Sequence, residues 1–221
     1  MKKIIIIAII IITIIAMFFI KINYKSLKFG NNISNKSAKE IAQYILDINS
    51  YELTSKIKIE TNKNTNEYLM KEKYSRDNNT CKQQILEPEN VKDISFTYDG
   101  TTLKIENSNL NLNKIYENYP YIGENTITLM SFINNYKESE ESNISENENE
   151  IILETKLKNG NKYIAYKTLY ISKNTGIPSK LEIQDITQKT TIYILYNEIE
   201  INNLQKEDVL AFKVEEITND I

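Results

Sequence analysis

Few side chains in this sequence are suited to acid-base or nucleophilic chemistry. Of its 221 residues none is histidine and only one, Cys81, is cysteine. The chain therefore lacks the commonest general base, the Ser-His and Cys-His nucleophile pairs and the usual ligands of catalytic zinc. Only Lys82 stands beside Cys81 to lower the pKa of its thiol, so we interpret Cys81 as a small side chain on a strand face.

Two pairs of carboxylates are close enough in sequence to suggest general acid-base catalysis. Glu198 and Glu200 alternate with isoleucines, which is typical of the solvent side of a strand. Glu140 and Glu141 lie within 137–150, an acidic stretch that predicts a solvated loop or disordered insertion and lacks the residue spacing of a calcium loop. We therefore expect no enzyme active site, no cofactor and no metal centre.

The charge of the chain is unevenly distributed. The net charge is −3, but residues 1–36 contain six lysines and no acidic residue. Residues 37–221 consequently hold 21 basic and 30 acidic residues. A domain this acidic repels phosphate groups, so we expect no binding to nucleic acid.

An uncharged apolar segment, Ile4–Ile20, follows two lysines at the N-terminus. As a helix its roughly 17 residues would extend about 25 Å, close to the thickness of the hydrocarbon core of a bilayer. No small-x-small cleavage site follows, so residues 1–20 predict an uncleaved transmembrane signal anchor, with a cleaved signal peptide as the alternative. Residues 21–36 then form a basic linker to an extracytoplasmic domain at 37–221, with a single pass and the N-terminus inside.

Alternation of apolar and polar residues dominates the domain and predicts antiparallel strands. Four strand-like segments between 151 and 201 are separated by short polar turns, one of them the hairpin dipeptide Asn159-Gly160, with the returning strand starting at Tyr163. Residues 51–105 show the same pattern. We predict a mainly β (α+β) fold: one curved antiparallel sheet of about eight or nine strands that forms an open half-barrel.

Two amphipathic segments predict helices that cover this sheet. The first begins at the capping-box motif Ser37-Ala38-Lys39-Glu40, which precedes an apolar stripe at helical spacing. The second lies between Ile127 and Tyr136, with Asn125 as its N-cap.

Tyrosine-rich segments supply the candidate partner-binding residues. The loop 116–123 is dense in aromatic residues, and the strand near 163–171 is apolar on both faces, one of which could meet a partner. The candidates are Tyr116, Tyr119, Pro120, Tyr121, Tyr166 and Tyr170. Each set has a purely structural alternative: the loop could fasten the second helix to the sheet, and both strand faces could be internal core.

The order of these segments resembles a known family. The chain resembles the LolA/LolB-type lipoprotein carriers in having a helix, a meander, an inserted helix and then Asn174-Thr175-Gly176-Ile177-Pro178 followed by Leu181-Glu182-Ile183-Gln184-Asp185. This resemblance implies a half-barrel with helices over its concave side. The N-terminal apolar segment together with 116–123 and 163–202 resembles the GerS-type germination lipoproteins of spore-forming clostridia. That resemblance implies a non-enzymatic protein that binds and licenses an N-acetylmuramoyl-L-alanine amidase of the spore cortex. The cysteine that would be lipidated is missing, so we expect a membrane-anchored relative.

Three functions follow from these observations. The first is a membrane-anchored binding protein for a cell-wall amidase, with homodimer formation left open. The second is a lipid or lipoprotein carrier that holds acyl chains in the half-barrel, which requires a deep apolar cavity and freedom to leave the membrane. The third is a sensor ectodomain, the weakest of the three because only Met1–Lys3 would lie inside the cell.

Overall fold

The fold consists of one antiparallel sheet and two helices. The computed structural model describes residues 36–61, 63–77, 79–119, 127–202, 204 and 209. Within these ranges eleven strands form a single sheet, so the predicted mainly β fold with two helices is confirmed. The predicted anchor at 1–20 and nearly all of the basic linker lie outside the described residues. Neither helix of the described part is long and apolar enough to cross a bilayer.

Helix α1 (Ala38–Leu46) precedes six strands, and helix α2 (Leu129–Glu138) precedes the other five. The strands are β1 Ser50–Glu60, β2 Thr65–Ser75, β3 Thr80–Glu87, β4 Ser95–Tyr98, β5 Leu103–Asn107, β6 Leu112–Tyr116, β7 Ser142–Glu146, β8 Glu150–Lys156, β9 Tyr166–Ser172, β10 Pro178–Gln184 and β11 Thr190–Ile201.

Two meanders meet at the centre of the sheet. The strand order is β6-β5-β4-β3-β2-β1-β11-β10-β9-β8-β7, so the first and last strands of the chain are neighbours. Their pairing extends from Tyr51 opposite Ile201 to Ile59 opposite Ile192, with one irregularity between Thr54 and Ser55. This long central pair joins the two halves, which confirms the prediction that both belong to one sheet.

The predicted count of eight or nine strands is wrong because both edge strands are missing from it. β6 ends at Tyr116, where the sequence predicted the start of an aromatic loop. β7 lies inside 137–150, which was predicted to be a solvated loop or disordered insertion. Each edge strand pairs with a single neighbour and exposes nearly every residue, so neither shows the apolar alternation that marks a half-buried strand.

Both helices pack on the same side of the sheet, which we call the inner face; the opposite side is the outer face. Alternate strand residues join the helices in one hydrophobic core, and each fully buried aliphatic side chain contributes about 1.5–3 kcal/mol to stability. Inner-face residues with no more than 2 % exposure include Leu53, Ile57, Leu153, Leu169, Leu181 and Ile194.

The helix starts follow from their caps. At α1 the predicted capping box is present, because the Glu40 N–H donates to Ser37 Oγ at 3.3 Å and the Ser37 N–H donates to Glu40 Oε2 at 2.8 Å. At α2 the predicted cap, Asn125, is wrong. Thr128 is the N-cap, because its backbone is extended and its hydroxyl oxygen accepts a hydrogen bond from the Ser131 N–H at 3.0 Å.

The connection between β8 and β9 is longer than a tight hairpin. The predicted Asn159-Gly160 dipeptide lies inside it, but the connection spans 157–165, and β9 begins at Tyr166 instead of Tyr163. The peptide N–H of Leu157 donates to the Ala165 carbonyl at 2.9 Å, which closes the base of this loop.

Candidate functional site

The β6 edge of the sheet concentrates exposed apolar side chains. Leu110, Ile115, Tyr116 and Tyr119 are 55, 58, 47 and 37 % exposed, and they account for half of the large apolar side chains that are most exposed in the described part of the chain. We call these four residues the edge patch. Exposed apolar side chains along the rim of a sheet are a feature of surfaces that bind another protein.

The edge patch covers both sides of β6. Tyr116 pairs with the buried Leu103 and so lies on the inner face, whereas Ile115 pairs with Lys104 on the outer face. The backbone of Asn118 is left-handed (φ 51°), which turns the chain back and brings the Tyr119 ring centroid to 6.3 Å from that of Tyr116.

Backbone hydrogen bonding holds this turn in place. The Tyr119 N–H donates to the Thr101 carbonyl at 2.8 Å, and the Tyr98 hydroxyl contacts the Tyr119 carbonyl at 3.5 Å. The backbone that carries Tyr119 is therefore fixed before any partner arrives, which lowers the entropic cost of binding.

Tyr166 and Tyr170 lie on the outer face of β9, and both are half-buried. The Lys180 ammonium is 3.8 Å from the centre of the Tyr170 ring and also donates to Glu182 Oε1 at 2.8 Å. Leu169, between the two tyrosines, is fully buried on the inner face, so only one face of this strand belongs to the core.

The structure does not bring the two sets of candidate tyrosines together. β6 is at one end of the sheet, whereas β9 is the third strand from the other end. Tyr116 and Tyr119 therefore form a surface separate from Tyr166 and Tyr170. Pro120 and Tyr121, the remaining candidates of the aromatic loop, lie outside the described residues.

A third exposed apolar group lies at the centre of the outer face. Tyr193 and Leu195 of β11, with Lys56 and Lys58 of β1, line a shallow depression of about 260 Å³. Lys56 forms an ion pair with Glu67 at 2.8 Å, so positive charge here is already neutralised. The depression is smaller than usual ligand pockets, and its charged side chains are paired with each other, Lys56 with Glu67 and Lys58 with Glu60.

Glu72 is sealed on the inner face, and sequence reasoning did not single it out. The side chain is 1 % exposed and accepts hydrogen bonds from the Tyr51 hydroxyl and from Gln83 Nε2, the latter at 3.1 Å. The Met130 N–H of α2 donates in turn to the Tyr51 oxygen at 3.4 Å. Burial disfavours the carboxylate and raises the pKa of Glu72 to about 7, although both donors oppose this shift.

Lys167 is the second sealed ionisable group, and it too escaped the sequence reasoning. It is fully buried on β9, and its ammonium donates to Ser131 Oγ at 2.9 Å and to Asn135 Oδ1 at 2.7 Å. Burial disfavours the charged form and lowers the pKa of Lys167 to about 7. Both acceptors belong to α2, so this lysine fastens the helix to the sheet.

Lys167 fastens α2 to the sheet, Glu72 bonds to β1 and β3, and both side chains are closed to solvent. Strongly shifted pKa values often mark an active site, but a catalytic group must also reach its substrate. Cys81 is likewise closed to solvent. It is 1 % exposed on β3, and burial raises the pKa of its thiol, which agrees with its predicted role as a strand-face residue. In the described ranges no cluster of three acidic or cysteine side chains is arranged to hold a metal ion.

Several solved structures of other proteins are similar to this chain. An uncharacterized conserved protein from Thermus thermophilus is similar at a TM-score of 0.50 and 13 % identity, over 81 % of this chain and 96 % of the other. A chain in the complex of the CwlD amidase with the GerS lipoprotein from Clostridioides difficile is similar at 0.48 and 24 %, over 73 % and 92 %. The LolA superfamily protein NE2245 from Nitrosomonas europaea is similar at 0.42 and 11 %, over 79 % and 97 %.

Comparison of sequences identifies the family. No curated protein matches this chain. The family model described as "Sporulation protein YdcC-like" matches residues 1–210, which is nearly the whole sequence. This match agrees with the resemblance to germination lipoproteins that the sequence suggested. The chain therefore belongs to the YdcC-like family of sporulation proteins.

Proposed function

We propose that this protein is a non-enzymatic, extracytoplasmic binding protein that engages a cell-wall amidase during cortex modification or germination of the spore. The observation that carries the proposal is the edge patch: four exposed apolar side chains on a positioned strand and turn. Exposed apolar side chains grouped along one edge favour contact with a partner, and Tyr116 and Tyr119 already contact each other. Membership in a sporulation family supplies the cellular setting.

The class of partner comes from the sequence resemblance to GerS-type lipoproteins. The GerS lipoprotein of Clostridioides difficile is found in a complex with the amidase CwlD. By analogy, the partner proposed here is an N-acetylmuramoyl-L-alanine amidase that acts on cortex peptidoglycan. Tyr116 and Tyr119 are the contacts we favour on this protein, because they belong to the edge patch. Tyr166 and Tyr170 remain second candidates on the outer face.

A non-enzymatic role is supported by where the ionisable groups lie. The two side chains whose pKa values burial moves to about 7, Glu72 and Lys167, bond to the sheet and to α2. Neither is exposed by more than 1 %, so neither can meet a substrate in the folded protein.

Membrane attachment completes the proposal. Residues 1–20 form a single-pass anchor with the N-terminus inside, and residues 21–36 hold the domain away from the bilayer. Fractionation of cells and protease treatment of intact protoplasts test this arrangement. Full-length protein in the membrane fraction, with a domain that external protease digests, agrees with it; protein in the soluble fraction contradicts it.

The lipid-carrier alternative gains no specific support from the inner face. A carrier needs an apolar cavity there, but α2 fills that space with Phe132 and Ile133, both fully buried. The buried apolar side chains of the strands on this face belong to the same packed core.

Affinity purification from sporulating cells tests the proposed function. Full-length tagged protein should be extracted from membranes with mild detergent and its partners identified by mass spectrometry. Recovery of a cortex amidase in amounts comparable to the bait is the expected result. Recovery without any peptidoglycan hydrolase would contradict the proposal.

A further inference from the structure

The two edges of the sheet differ in how their free backbone groups are protected. In an antiparallel pair, alternate residues direct their N–H and C=O groups away from the neighbouring strand. An edge strand therefore presents a row of unpaired donors and acceptors, and proteins usually block such a row. β6 and β7 are the edge strands of the described sheet.

The β7 edge is blocked. The Tyr136 hydroxyl of α2 donates to the Asn143 carbonyl at 3.2 Å, and Ser142 Oγ donates back to the Tyr136 carbonyl at 2.9 Å. Glu146, at the end of the strand, forms an ion pair with Lys173 at 2.6 Å. Helix α2 and these charges leave little of β7 available to another strand.

The β6 edge has no such protection. In the part of the chain that the structure describes, residues 112–116 form neither a hydrogen bond nor an ion pair beyond their pairing with β5. Lys114 is the one charge on this strand, and beside it the strand displays the exposed Ile115 on its outer side and the exposed Tyr116 on its inner side. An incoming strand would find both an unpaired backbone and apolar side chains on each face.

We propose that β6 binds an extended segment of the amidase, which adds to the sheet as a twelfth strand. This inference rests on the proposed function and specifies its mode of recognition. Backbone hydrogen bonds supply affinity in strand addition, and side chains that alternate between the two faces supply specificity. The segment carries apolar residues that meet Ile115 and Tyr116, and an acidic residue opposite Lys114, the only charged residue of β6.

Charge also argues against a second copy of this chain as the occupant. The fullest symmetric pairing of two antiparallel β6 strands is centred on the middle residue, Lys114. This pairing places two like charges directly opposite each other, which destabilises a strand pair. The other described edge, β7, is already held by Tyr136. A partner segment with an acidic residue fits the β6 edge better than the β6 strand or the β7 strand of a second copy does.

The test measures two properties of the full-length protein in detergent: its affinity for the purified cortex amidase from the same organism, and the hydrogen exchange of its backbone amides. Ile115→Lys and Lys114→Glu should weaken binding by roughly tenfold or more, because one buries a charge in the new pair and the other reverses the charge complementarity. Ile144→Lys is the matched control, since Ile144 is also an exposed isoleucine, 38 %, on an edge strand. It should leave the affinity unchanged.

Hydrogen exchange distinguishes the outcomes. Slowed exchange of amides within 112–116 on addition of amidase, together with the loss of affinity in the β6 variants only, supports strand addition. Wild-type binding that survives Ile115→Lys, or that leaves exchange in β6 unchanged, overturns this mode and leaves the proposed function standing. Absence of wild-type binding overturns the proposed function itself. Protection of β6 without amidase, in a species of twice the mass, assigns the edge to a second copy and also overturns the inference.

Discussion

Replacing Glu72 by glutamine should remove a pH dependence of the unfolding free energy that the wild-type protein shows below neutral pH. The side chain is 1 % exposed, and its pKa is raised from 4.5 to about 7 by burial. The folded protein therefore binds the proton more tightly than the unfolded chain does. The resulting stabilisation is complete below pH 4.5 and is lost as the pH rises through 7.

The size of the effect follows from the two pKa values. The interval between 4.5 and about 7 corresponds to about 3 kcal/mol of unfolding free energy, because each pH unit is worth about 1.4 kcal/mol. This is a large share of the stability of a typical domain. Glutamine keeps the shape of the side chain, and the neighbouring Gln83 can rotate its amide to offer the oxygen that the new amide needs.

Urea denaturation followed by circular dichroism measures the effect between pH 4.5 and 8. Relative to Glu72→Gln, the wild type should lose about 3 kcal/mol over this range, because the contribution of Lys167 above pH 7 is common to both proteins. Glu138→Gln is the control, because Glu138 is an exposed carboxylate at the end of α2, and it should keep the wild-type slope. A Glu72→Gln profile as steep as that of the wild type would show that Glu72 is not the source of this pH dependence.

Three further changes test other parts of the structure. Lys167→Met should abolish a rise in the unfolding free energy between pH 7 and 10.5. Burial lowers the pKa of Lys167 from 10.5 to about 7, so the unfolded chain binds the proton more tightly than the folded protein in that range. Urea denaturation at pH 7 and 10 checks this prediction, with Lys39→Met as the exposed control. Thr128→Ala should cost about 1 kcal/mol through loss of the α2 cap, measured in the same way, and an unchanged midpoint would contradict the cap. Phe132→Ala should cost about 3–5 kcal/mol through the cavity it leaves in the core, and a loss below about 1 kcal/mol would show that α2 is not packed as described.

The central strands could be predicted from the sequence because each has one fully buried face. Leu53 and Ile57 of β1 alternate with polar residues, and this pattern identifies the strand without knowledge of its neighbours. The edge strands could not be predicted in this way. β7 pairs with β8 alone and keeps exposed side chains on both faces, so its structure depends on backbone pairing that no local pattern records.

The sealed ionisable groups left a signal that was not recognised. Glu72 stands between Met70 and Tyr74 at the inner-face positions of β2, and Lys167 precedes Leu169 at the inner-face positions of β9. A charged residue in register with an apolar row predicts a buried charge. Its partners could not be predicted, because those of Lys167 come from α2, more than 30 residues earlier in the chain.

The edge patch was only partly foreseen. Tyr116 and Tyr119 were chosen because aromatic residues in a loop often contact partners, but Tyr116 is part of a strand. Leu110 and Ile115 complete the patch and were missed, since single apolar residues in a polar stretch carry no periodic signal. Their common exposure emerges only when β6 is placed at the end of the sheet.

Amidase activity on purified cortex peptidoglycan, measured with and without this protein, tests the central claim most directly. The protein alone should release no fragments, and it should bind the amidase and raise the rate at which peptide side chains are released. Cleavage of peptidoglycan by the protein alone, or an amidase that neither binds it nor changes in rate, would rule out the proposed function.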